Sequence, residues 1–85
     1  VAVSAVSTIL DTAWTAVASD AAETLLTSDG YGFFYVIGTT TPTLTTGHAV
    51  DAAENEPVVT LDGETLYVRS RFGPITLVAT VDEEA

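Results

Sequence analysis

Apolar and polar positions alternate along most of this chain with the two-residue period of strands that turn one face to a core. The clearest case is Glu64 to Ser70, ETLYVRS, where Leu66, Val68 and Ser70 fall on one face and Tyr67, Arg69 and Arg71 on the other. Before it stand Val58 to Leu61 and the turn pair Asp62-Gly63, so the pattern predicts a hairpin of VVTL and ETLYVRS. Leu66 and Val68 are expected to face inward. Gly32 to Gly38 is the most β-prone segment, with Phe33, Tyr35 and Ile37 on one face and Phe34 and Val36 on the other. Apolar on both faces, it is expected to be a central strand, or one whose second face a partner covers.

Other segments follow the same reading. Ile75 to Val81 predicts a final strand with Ile75, Leu77, Ala79 and Val81 on one side, followed by a charged, solvent-facing tail from Asp82. Ala13 to Ala18 places Trp14, Ala16 and Ala18 together, with Trp14 as a core or rim anchor. Asp20 and Glu23 have the spacing of a helix capping box, but the β-branched content after them predicts a strand over 23–28. Ser28-Asp29-Gly30 then signals a reversal of the hairpin kind. The segment from Thr39 to Pro57 is polar and turn-rich, with Leu44 and Val50 expected to pin it to the core. Six to eight short antiparallel strands at this spacing predict an all-β domain, a small β-sandwich or partly open barrel. Residues 1–12 are expected to be an N-terminal arm or edge strand, and 13–85 a single β-sandwich domain.

Composition narrows the function classes. Twelve carboxylates face two arginines, no lysine and one histidine across 85 residues, a formal net charge of −10. Such a chain repels phosphate, which argues against nucleic acid as a partner. No stretch approaches the roughly 18 apolar residues of a membrane helix, so no membrane is expected. Without cysteine there are no disulfides, thiolate nucleophiles or thiolate metal sites. Asp51, Glu54 and Glu56 cluster, yet the spacing of a calcium loop is absent and an exposed acidic loop is the expectation; no metal or cofactor is expected.

Candidate chemistry is sparse. His48 lies in a turn beside Gly47 with no nucleophile elbow anywhere, and is expected at the surface or an interface. The carboxylates fall at turns and chain ends, where water keeps them ionised, and Asp62 with Glu64 on a bend makes a poor glycosidase pair. Phosphate-loop, dinucleotide and HExxH motifs are missing. The expectation is a binding or structural domain with no catalytic residues. Its Tyr67, Arg69 and Arg71 stripe holds both cations; intramolecular pairing with carboxylates and docking on an acidic neighbour are both open for it. Trp14, Tyr31 and Tyr35 are alternative candidates as sugar-stacking rings of a carbohydrate-binding or adhesin-like module.

Trp14-Thr15 opening a strand, Ser28-Asp29-Gly30 before an aromatic strand, the stretch Pro42 to Gly47, Asp62-Gly63-Glu64 with Leu66 to Arg69, and Pro74 to Val78 come in an order that resembles the small β-sandwich virion proteins of tailed bacteriophages, particularly head decoration or cement proteins. The likeness covers roughly 13–81. It implies a structural protein on the outer surface of the phage head that binds the assembled major capsid protein lattice, often as a trimer, and stiffens the shell; related tail components would share these features. It has no active site to transfer. The interface anchors it implies are the arm residues Val3, Val6 and Ile9, then Trp14, Phe34, Tyr67, Arg69 and Arg71.

Overall fold

Most strands form where the alternation predicts them, although His48–Val50 make a short strand where a turn was expected, and the strands' partners are what the sequence leaves open. The computed structural model describes residues 2–19, 22–28, 32–50 and 56–83. Eight strands run β1 (Ala2–Ile9), β2 (Thr15–Ser19), β3 (Ala22–Ser28), β4 (Phe33–Gly38), β5 (His48–Val50), β6 (Glu56–Thr60), β7 (Thr65–Ser70) and β8 (Ile75–Glu83). They make two four-stranded antiparallel sheets, β1-β8-β3-β6 and β2-β7-β4-β5. This is the expected all-β sandwich, and its strand order is that of a jelly roll. The chain doubles back on itself as one long ribbon, β1 with β8, β2 with β7, β3 with β6 and β4 with β5, which then wraps so that successive pairs alternate between the sheets.

That wrapping corrects the predicted hairpin. β6 pairs with β3 and β7 with β2 and β4, so Asp62-Gly63 carries the chain from one sheet to the other. The turn itself closes as expected: the Glu64 amide donates to the Leu61 carbonyl at 3.1 Å, with Gly63 at φ +82°. In a two-residue hairpin the Leu61 amide would answer by donating to the Glu64 carbonyl. Here it donates at 2.8 Å to the Glu64 carboxylate, and the ladder stops. The Ser28-Asp29-Gly30 reversal likewise joins strands of different sheets, although 29–31 lie outside the described residues. Among the described strands, only β4 and β5 are consecutive and paired.

Between the sheets lie Ile9, Leu26, Phe33, Val58, Leu66, Val68, Ile75, Leu77 and Ala79, with Val17, Ala18, Tyr35, Ile37 and Val50 packed against them. Leu66 and Val68 of β7 face inward as expected, the inward side of β4 is the one with Phe33, that of β8 the one with Ile75, Leu77 and Ala79, and β4 is an interior strand. Residues 23–28 are strand and not helix. Asp82 and Glu83 continue β8, so the strand runs two residues into the segment expected to be a charged, solvent-facing tail.

Of the arm and the edge strand left open for the N-terminal segment, the structure has the edge strand: β1 pairs residue for residue with β8 from Ala2 to Ile9 and forms one edge of its sheet. Two further expectations are corrected. Leu44 is exposed and pins nothing to the core by its side chain. In β2 the register shifts between Ala16 and Ala18, so Ala16 points outward beside Tyr67 while Ala18 packs on the core beside Leu66. A bulge inverts the alternation, which is why Trp14, Ala16 and Ala18 do not share a face.

Candidate functional site

The outer face of the sheet β2-β7-β4-β5 gathers five of the anchors named from the sequence. Because Leu66, Val68 and Ser70 turn inward, Tyr67 and Arg69 must turn outward, and the β4 register puts Arg69 beside Phe34 and Tyr67 beside Val36. Arg71 follows at the end of β7, its guanidinium carbon 5.5 Å from the Phe34 ring centroid and 5.5 Å from that of Phe72. Both distances are within cation-π range, so the arginine bridges two rings and holds its charge at an aromatic surface.

Trp14 enters from the β1–β2 connection. Its indole Nε1 donates at 2.7 Å to the Leu44 carbonyl, so the exposed Leu44 holds the β4–β5 loop by its backbone. The same connection is held from β7, where the Ser70 amide donates to the Leu10 carbonyl at 3.1 Å and Arg69 Nε to the Asp11 carbonyl at 2.9 Å. Gly47 makes room for the indole. A Cβ there would lie 2.7 Å from the Tyr35 carbonyl oxygen, 2.7 Å from Val36 Cγ2 and 3.2 Å from Trp14 Cη2. Ser70 finishes the β7–β8 turn, its hydroxyl donating to the Gly73 carbonyl and accepting from the Phe72 amide at 3.3 Å.

The remaining anchors separate. Ile9 is fully buried in this chain's own core and has no surface for a partner, which corrects the interface expectation for it. Val6 points outward from β1 at 69% exposure, far from the aromatic face in the fold, and the side chain of Val3 lies outside the described residues. Of the sugar-stacking candidates, Trp14 is on the outer face, Tyr35 packs toward the core with its ring 5.1 Å from exposed His48, and Tyr31 lies outside the described residues. The structure does not bring Trp14 and Tyr35 to one surface. Asp51 and Glu54 of the acidic cluster also lie outside the described residues, among which no three His, Cys, Asp or Glu side chains converge.

Phe72, Gly47 and the Leu44 carbonyl are the parts of this face that sequence reasoning missed. Phe72 is 59% exposed in a turn that reads only as a chain break, yet an arginine immediately before a phenylalanine was available as a signal. The resulting surface is aromatic, carries both cations of an otherwise acidic chain, and has the composition favoured for anchoring to another protein. Comparisons with family models, with curated proteins and with solved structures return no match to this chain.

Proposed function

We propose that this domain is a structural virion protein that docks by the outer face of β2-β7-β4-β5 on the assembled major capsid protein lattice of a tailed-phage head and stabilises the shell from outside. The carrying observation is the convergence of Trp14, Phe34, Tyr67, Arg69 and Arg71 on one face of a chain with net charge −10. A protein surface with apolar patches and carboxylates matches that face, while phosphate-rich nucleic acid is repelled by the rest of the molecule. The jelly roll is shared by viral capsid and lectin domains, so the fold alone does not choose between them. Its sequence resemblance to head decoration proteins supplies the lattice. Docking needs no catalytic group or cofactor.

The test is co-sedimentation of the purified protein with undecorated capsid particles. Saturable pelleting is expected, with loss of at least tenfold in affinity for an Arg69→Glu, Arg71→Glu double variant and little change for Val59→Glu on the opposite sheet. Absence of pelleting with particles would sink the capsid reading, and pelleting with purified tails instead would move the same face to a tail partner.

A further inference from the structure

Among the described residues, four strands of this sandwich have an open edge: β1 and β6 in one sheet, β2 and β5 in the other. An open edge is a template for pairing with another chain, and soluble proteins blunt it by brevity, bulges, proline or charge. Three of the four edges carry such a device. β2 is bulged between Ala16 and Ala18, β5 is only three residues long, and β6 contains Pro57 next to Glu56. β1 has none: it runs eight residues, AVSAVSTI, in unbroken register, without charge or proline.

A second observation falls on the same side of the molecule. A groove of about 410 Å³ opens between β1 and β2, lined chiefly by Ala5, Val17, Ala18, Thr65 and Val81. Ala5 faces inward by register, opposite buried Ala79, yet is itself exposed, because these small side chains do not close the sandwich there.

We infer that β1 is a self-association edge: it pairs antiparallel with β1 of a second copy about a twofold axis, joining two four-stranded sheets into one of eight. Charge selects the occupant. Two chains of net charge −10 repel, and β1 offers an approach of eight uncharged residues. Symmetry selects the closure, since an edge that pairs with itself makes an isologous, twofold contact and cannot close a threefold ring. Inward residues must meet inward ones, so the register sets Ala5 opposite Ala5 or Val6 opposite Val6. Either one brings the two Val6 side chains close together and turns the two grooves toward each other, removing both from water. The inference stands independently of the capsid reading, whose surface is on the other sheet.

One edge and one groove make a small contact, so the dimer is expected to dissociate on dilution with a Kd on the order of 1 to 100 μM, and to tighten with salt as self-repulsion is screened. Sedimentation equilibrium of the full chain over that range tests it, with Val6→Lys, Val6→Glu and, on the far edge, Val59→Lys. The expected result is a wild-type and Val59→Lys dimer, monomers for each Val6 variant with an unchanged far-ultraviolet spectrum, and recovery of dimer when the two Val6 variants are mixed. A wild-type monomer throughout, a trimer, or a dimer that survives Val6→Lys would overturn the inference. So would dissociation by Val59→Lys. If the Val6 variants misfold, hydrogen exchange of wild type decides: protection of the β1 amides must rise with concentration.

Discussion

The outer face of β1-β8-β3-β6 presents Val6 beside Val78, Thr8 beside Thr76, and Leu25 beside Thr80, with no aromatic ring or cation among these positions. The outer face of β2-β7-β4-β5 presents Trp14, Phe34, Tyr67, Arg69 and Arg71. Both sheets close on the same core and both alternate in the same way, so stability does not require the difference. Short β-branched side chains give a sheet that water can cover, and a side chain-side chain hydrogen bond between Ser4 Oγ and Thr80 Oγ1 at 2.8 Å ties neighbouring strands. Rings and guanidinium groups instead give large, oriented contact area with charge at its rim. The first face is built from short, uncharged side chains at these positions, and the second carries the rings and both cations on which the proposed docking rests.

The strongest challenge to this comparison is to remove the core that the sheets share. Phe33→Ala in β4 and Leu77→Ala in β8 each remove a fully buried side chain and are expected to cost about 3–5 and 2–5 kcal/mol respectively. A domain of this length has only about 4–13 kcal/mol in all, so both variants should be close to unfolding. Circular dichroism and Trp14 fluorescence should then report one transition. If the two probes separate, the sheets are independent units and the shared-core premise fails.

A smaller effect should be confined to the aromatic face. Gly47→Val places atoms against the Tyr35 carbonyl and the indole, for an expected cost of about 1–3 kcal/mol. Trp14 emission should shift to the red while hydrogen exchange in β3 and β8 stays as in wild type. Unchanged emission would show that Gly47 does not seat the indole.

Two substitutions of about 1 kcal/mol each should move in opposite directions. Thr24, fully buried on the inner side of β3, has a hydroxyl without a hydrogen-bond partner, and Thr24→Val should raise the denaturation midpoint. Trp14→Phe removes the donor to the Leu44 carbonyl and should lower it. Arg69→Ala should have the smallest effect on the midpoint, less than about 1 kcal/mol, because its Nε bond to the Asp11 carbonyl is at the surface. A larger loss from Arg69→Ala would make that arginine a structural residue first.

The candidate face was legible where alternation alone governs it. Leu66 and Val68 inward force Tyr67 and Arg69 outward wherever β7 sits, and the same parity separates Phe34 from Phe33. Trp14 was legible as an anchor but not for what it grips, since the Leu44 carbonyl is thirty residues away in a threonine-rich loop. Ile9 was misread because a short run of alanine, serine and valine looks alike whether it lies on a neighbour or completes its own sheet.

From the sequence alone came most of the strands, the residues that share each face of β4, β7 and β8, the acidic character of the chain and the grouping of both arginines with a tyrosine on one stripe. These are local or additive properties, set by side-chain period, β-propensity and charge. The tertiary structure alone decided which strands pair, that Asp62-Gly63 spans two sheets, and, of the arm and the edge strand left open for the N-terminal segment, the edge strand. A turn tells the chain to reverse and does not say into which layer. That choice depends on closing one core from both ends of the chain at once, as when Ala5 pairs with Ala79.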